Sequence, residues 1–249
     1  MDEYLNFARD LARRAGAIIK DSFNDNLAVE LKPDHSPVTE VDKRINKLVI
    51  EEIKAKFPEH GVLGEEASNS TGNEQYRWLC DPLDGTMAFI VGMKHVTFIL
   101  GLLKDDELVL AVVYDPLEDK LYHAVKGGGA FCNDKPIHVS SQGLQDGYVL
   151  FEQSAFGVYE KLIQAGALTE PVAGAGYRAM LLASGRCAAV VQGKSDHHDV
   201  GPCSLIIEEA GGKVTDFKGN KVDFSQPIGH GLILSNSACH QELADTLKA

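Results

Sequence analysis

Apolar residues recur at helical spacing through the first two dozen positions. Leu5, Ala8, Leu11, Ala12, Ala15, Ile18 and Ile19 share one side of a 3.6-residue period, which predicts an amphipathic helix over residues 3–22. Residues 32–42 (KPDHSPVTEVD) carry two prolines and read as turn-rich. A second helix is predicted from about Thr39, with Ile45, Leu48, Val49 and Ile53 inward and Pro58 and Gly61 ending the pattern. The period then shortens. Residues 61–66 (GVLGEE) read as a strand entering a loop, and residues 77–81 as a strand opening into 81–89 (DPLDGTMAF). Two β-rich runs, 95–103 and 107–115, flank the polar turn Lys104–Asp105–Asp106 and predict a hairpin. Further strands are expected on either side of the glycines at 127–129.

Residues 141–147 (SQGLQDG) are polar and turn-rich, and a subdomain boundary is placed there, giving units 1–143 and 144–249. In the second unit, helices are expected at 158–167 and 178–187, with a short strand at 169–173 and another at 188–193. A further helix is expected to start after Asp199, which would cap it, and to stop at Gly211–Gly212. Strands with short turns followed by alternating strand and helix predict a mixed α+β/α/β enzyme.

Composition narrows the function. A formal net charge of −12 argues against nucleic acid and anionic membrane as partners. No apolar run reaches the ~20 residues that span a bilayer, and the acidic N-terminus lacks the pattern of a signal peptide, so a cytoplasmic protein is expected. The five cysteines are scattered with no Cys-x-x-Cys pair, which predicts reduced, packed thiols.

Three acidic segments stand out. Glu65 and Glu66 follow an apolar strand; Asp81 and Asp84 lie three apart across Pro82; Asp199 precedes a helix. Asp81 and Asp84 can converge on one point with the Leu83 carbonyl between them, an all-oxygen set that suits a hard cation such as Mg²⁺. A helix starting after them would offer the backbone N–H groups of Gly85 and Thr86 to a phosphate, and the Thr86 hydroxyl to an attacking water. The plainer reading of each Asp is a turn former or a cap.

Taken together, GEE (64–66), DPLDGTMAF (81–89) and Asp199 followed by EAGG (209–212) resemble the inositol monophosphatase superfamily, as do residues 32–42 and 127–140. The similarity covers nearly the whole chain, in order and at matching spacings. It implies a layered α/β/α/β/α sandwich of the inositol monophosphatase / fructose-1,6-bisphosphatase type, two or three Mg²⁺ ions, lithium sensitivity and a homodimer. It implies hydrolysis of a small phosphorylated metabolite by metal-activated water. Glu65, Asp81, the Leu83 carbonyl, Asp84 and Asp199 would be the metal ligands. Asp42 would act beside them, Thr86 with Glu65 would orient and deprotonate the water, and Gly85 and Thr86 would hold the phosphate.

The departures from the family pattern lie on the substrate side. His198, preceded by His197, stands where Trp is usual; Gln192 replaces a sugar-gripping glutamate; Arg178-Ala179-Met180 stands where a small-residue stretch is placed. Arg178, Gln192 and His198 are therefore candidate substrate contacts, and inositol itself is in question. The KPD-x-SPVTE-x-D string resembles the histidinol-phosphate and 3′(2′),5′-bisphosphate-nucleotide branches, but it lies near the metals and constrains the leaving group poorly. Two other classes are weighed. Gly174–Ala179 matches GxGxxA with Asp196 some twenty residues on, a dinucleotide-binding signature without a clean βαβ context. A non-catalytic binding protein on this scaffold is the other; it would be expected to have lost some of the acidic set, which is complete.

Overall fold

A computed structural model describes residues 1–25, 27–71, 74–193 and 196–248. In chain order the elements are α1 (Asp2–Ser22), β1 (Val29–Leu31), β2 (Pro37–Thr39), α2 (Glu40–Lys56), β3 (Gly61–Gly64), β4 (Tyr76–Asp84), α3 (Thr86–Ile90), β5 (Thr97–Lys104), β6 (Glu107–Asp115), β7 (Lys120–Val125), β8 (Ala130–Cys132) and β9 (Lys135–Pro136). They continue with β10 (Tyr148–Phe151), α4 (Tyr159–Gln164), β11 (Leu168–Pro171), α5 (Ala175–Ala183), β12 (Ala189–Gln192), α6 (His197–Glu209), β13 (Lys213–Asp216), β14 (Leu232–Ser235) and α7 (His240–Lys248).

Strands β3 to β9 form one sheet in sequence order, antiparallel except for the parallel β3–β4 pair. A second sheet runs β11-β10-β12-β14-β13, with β10 parallel to both its neighbours. The two sheets draw on separate stretches of chain, 61–136 and 148–235.

The side chains show how these stack. Phe98, Leu100 and Leu102 of β5 pack with Leu11, Ile19, Ile45 and Ile53 of α1 and α2. Ile99, on the opposite face of the same strand, packs with Cys203, Ile206 and Ile207 of α6 and with Val190 of β12. Val191 of β12 and Ile233 of β14 face the other way, onto Leu162 of α4 and Leu243 and Leu247 of α7. The order is therefore helix, sheet, helix, sheet, helix, the five-layer sandwich that the sequence resemblance implies. Because β5 and β6 are covered on both faces, their sequences read as continuous apolar runs instead of alternating ones.

Several boundaries differ from expectation. The stretch 32–42 contains β2, which pairs with β1 as a two-stranded antiparallel arm. Helix α5 starts at Ala175, three residues before the expected start, because Gly174 at φ +79° turns the chain ahead of it. Helix α6 starts at His197, so Asp199 lies in its first turn and is not its cap. The apolar pattern begins only at Val200, and the two histidines concealed the first turn. A carboxylate there still meets the positive end of the helix dipole.

Candidate active site

Strand β4 carries Asp81 through Asp84, and its pairing with β5 shifts register between those two residues. Asp84 ends the strand. Gly85 follows at φ +83°, where a Cβ would stand 2.3 Å from the His95 carbonyl oxygen, and Thr86 opens α3. Glu65 comes from the loop after β3, held by its N–H on the Cys80 carbonyl at 3.0 Å. Asp42 comes from the first turn of α2, where it closes a capping box with Thr39. Asp199 arrives from the second sheet's side on α6.

Glu65, Asp84, Gly85, Thr86, Glu152, Ala173, Gly174, Ala175, Arg178, Gln192 and Asp199 line one open cavity of about 630 Å³. Of the residues singled out from sequence, Asp81 and Asp42 are buried and do not line it. His198 does not line it; its Nε2 stands 3.0 Å from Asp199 Oδ1. Ala179 and Met180 are core residues between the sheets, so the small-residue stretch at the cavity is Ala173–Ala175 and not 178–180. A larger cavity-lining role for Arg178 is limited by its bonds: Nε donates to Gln192 Oε1 at 3.1 Å, and its two terminal nitrogens donate to Gln192 Oε1 and the Val172 carbonyl.

The Thr86 hydroxyl lies 3.0 Å from Asp42 Oδ1 and 3.0 Å from the Leu83 carbonyl. Its carboxylate partner is Asp42, a contact that the expected action of Thr86 with Glu65 on the attacking water did not include. Glu65 faces Lys32 instead, whose ammonium stands 2.6 Å from both Glu65 and Glu66. Nothing in the local sequence around Lys32 pointed to that role. The Gly174–Ala179 turn also has an unforeseen use. Ala175 N–H donates to Asp84 Oδ1 at 2.7 Å and Gly176 N–H to Oδ2 at 3.0 Å. These donors, 91 and 92 residues from Asp84, serve a carboxylate where a dinucleotide site would present a pyrophosphate.

The electrostatics are those of crowded anions. Burial raises the Asp81 pKa well above the carboxylate range, and the charges of Glu65, Asp199 and Asp84 add to it. Burial also raises Asp84, to about 6, with Asp199 adding and the Thr97 hydroxyl and Arg178 opposing. As they stand, the side chains are drawn to protein donors, and among the described residues no three His, Cys, Asp or Glu side chains surround one point. The set nevertheless fits a hard cation. It is all oxygen, and the repulsion within it is what a divalent ion would relieve; Lys32 already places one positive charge against Glu65.

The sequence profile of the inositol monophosphatase family matches residues 1–249. A histidinol-phosphatase from Chlorobaculum parvum is 34% identical over 96% of this chain and 94% of its own. The Nus factor SuhB of Pasteurella multocida is 32% identical over 88% of this chain and 87% of its own. Among solved structures, an IMPase from Thermotoga maritima superposes with a TM-score of 0.92 at 26% identity, covering 100% of this chain and 97% of that one.

Proposed function

Because the chain belongs to the inositol monophosphatase family, we propose that it is a magnesium-dependent phosphomonoesterase acting on a small phosphorylated metabolite, with Glu65, Asp81, the Leu83 carbonyl, Asp84 and Asp199 as metal ligands. The observation that carries this reading is the pairing of the Thr86 hydroxyl with buried Asp42 at 3.0 Å, on a cavity walled by Glu65, Asp84 and Asp199.

Two or three Mg²⁺ ions, when bound, would supply the positive charge that neutralises the phosphate and activates the attacking water. The residues divide the remaining work. Asp42 accepts the Thr86 O–H, so the Thr86 oxygen can accept a hydrogen bond from a water in the cavity and, as it takes that water's proton, pass its own to Asp42. Thr39 fixes Asp42 in turn, donating both its backbone N–H, at 2.9 Å, and its hydroxyl to Oδ2. The backbone N–H groups of Gly85 and Thr86 would hold the phosphate. Lys32 holds Glu65 and Glu66 in place beside the cluster.

On the leaving-group side one feature favours a particular branch. The Gln192 carbonyl accepts from Arg178, so it is committed to a neighbouring guanidinium and not to substrate hydroxyls. Glu152, whose Oε2 accepts the Gly193 N–H at 3.0 Å, is the carboxylate on that wall. A leaving group carrying an ammonium suits Glu152 better than a ring of hydroxyls does. This supports histidinol phosphate, the substrate in the name of the Chlorobaculum parvum relative, over inositol monophosphate and over a 3′(2′),5′-bisphosphate nucleotide.

The homodimer and the lithium sensitivity belong to the same proposal. Phosphate release from these three substrates, with Mg²⁺ and with added Li⁺, tests it. Histidinol phosphate is expected to give the highest kcat/KM, with Li⁺ slowing turnover. A clear preference for inositol monophosphate would overturn the substrate assignment, and no turnover of any would overturn the enzyme.

A further inference from the structure

Thr97 opens β5 directly across the sheet from Asp84, in register with it. Its side chain is buried, and its hydroxyl donates to Asp84 Oδ2 at 2.8 Å. The same oxygen accepts the Gly176 N–H at 3.0 Å, while among the described residues Oδ1 accepts only the Ala175 N–H at 2.7 Å. A carboxylate oxygen offers two lone-pair sites. Oδ2 is therefore filled by two donors, and among the described residues Oδ1 keeps one site open, on a residue that lines the cavity.

The surroundings are shaped to this contact. A Cβ at Gly176 would stand 2.4 Å from the Thr97 hydroxyl oxygen and 3.2 Å from Asp84 Oδ2. No side chain fits there while the hydroxyl is in place. Buried beside a carboxylate, the hydroxyl has Asp84 as its acceptor in the described structure, so its position is set by Asp84 and not by solvent.

We propose that Thr97 is a positioning residue that makes Asp84 a one-oxygen ligand and so biases the site towards Mg²⁺ over Ca²⁺. This rests on the reading of Asp84 as a metal ligand. Mg²⁺ demands a near-ideal octahedron, whereas Ca²⁺ takes six to eight oxygens and accepts a carboxylate through one oxygen or both. With the hydroxyl present, Oδ2 has no site left for a cation and Oδ1 alone is offered. Removing the hydroxyl reopens Oδ2, lets the carboxylate turn, and costs Mg²⁺ more than Ca²⁺.

Calorimetric titration of Mg²⁺ and of Ca²⁺ into the full-length protein tests this, with kcat and KM measured on the same samples. Thr97→Val keeps the shape and removes the donor. It is expected to weaken Mg²⁺ about tenfold, the low end for a residue that orients a metal ligand, and to weaken Ca²⁺ less, while Thr97→Ser stays near wild type. Gly176→Ala pushes the hydroxyl away from the other side. It is expected to give the same shift in Mg²⁺-to-Ca²⁺ preference. Should Thr97→Val fail to fold, Gly176→Ala carries the test alone. Wild-type Mg²⁺ affinity and preference in Thr97→Val and Gly176→Ala, with binding lost in Asp84→Asn, would overturn the inference and leave Asp84 a ligand. Equal weakening by Thr97→Val and Thr97→Ser would also overturn it, as a packing effect. Undiminished binding by Asp84→Asn would remove the ligand reading itself.

Discussion

Asp84→Asn should reverse sign in its effect on stability as pH rises. In the folded chain the Asp84 pKa is about 6 against an ordinary value of 3.8. Holding a carboxyl that far above its ordinary pKa corresponds to ~3 kcal/mol of preference for the protonated form. A raised pKa means that this group's contribution is fully present below pH 3.8 and is lost as pH rises through 6. Of the ~3 kcal/mol, about half develops between pH 5 and pH 8. The amide of Asn carries no charge and escapes this loss, but it introduces a mismatch. If its oxygen takes the place of Oδ2, facing Thr97 and Gly176, its NH₂ faces the Ala175 N–H, at a cost of ~1–3 kcal/mol. In EDTA the variant should therefore be less stable than wild type at pH 4, and equal or up to ~2 kcal/mol more stable at pH 8. Trp78, the only tryptophan and fully buried, reports unfolding in urea by fluorescence. Repeating the pH 8 curve with Mg²⁺ should then stabilise wild type, by ~2.7 kcal/mol at a hundredfold excess over Kd, and leave the variant unchanged. A stability gap between the two proteins that is the same at pH 5 and pH 8 would refute the view that burial and neighbouring anions hold Asp84 high.

Three other perturbations follow from the same geometry. Thr86→Val should lower kcat by ~100-fold or more while Mg²⁺ binding, read by calorimetry, is retained, since the hydroxyl relays a proton. Lys32→Gln leaves Glu65 and Glu66 facing each other uncompensated; in EDTA it should cost ~1–2 kcal/mol in urea, and Mg²⁺ should raise its Tm more than it raises wild type's. His60 Nδ1 accepts the Trp78 indole N–H at 3.1 Å, so the ring is neutral, and burial lowers its pKa below the ordinary 6.5. That contribution to stability is present above pH 6.5 and falls as pH drops from there towards the folded pKa, with a change in Trp78 fluorescence that His60→Phe should abolish.

What the sequence made legible was local. Periodicity marks α1 and α2 because each buries a single stripe against the same face of β5 and β6. Glu65 could be found because it follows an apolar strand, and Asp81 and Asp84 because two carboxylates around Pro82 interrupt an apolar run at the end of β4. Helix α7 was missed, although Leu243, Ala244 and Leu247 lie at helical spacing on the outer layer. The contacts that tune the site are not local. The Asp84 carboxylate meets the first N–H groups of α5 from 91 residues away, and Thr97 meets it only through strand pairing. Lys32 reaches Glu65 across 33 residues by way of the β1–β2 arm. No spacing rule encodes such meetings, because strand pairing, the β1–β2 arm and the packing of α5 against the first sheet create them.

The most direct measurement is inorganic phosphate released from histidinol phosphate by wild type and by Asp84→Asn in one assay, first with Mg²⁺, then with EDTA, then with Mg²⁺ restored. A phosphomonoesterase built on this carboxylate cluster turns over with Mg²⁺, stops in EDTA and recovers, while a folded Asp84→Asn protein runs at least ~100-fold slower whenever Mg²⁺ is present. Release that persists in EDTA, or that Asp84→Asn matches, contradicts it.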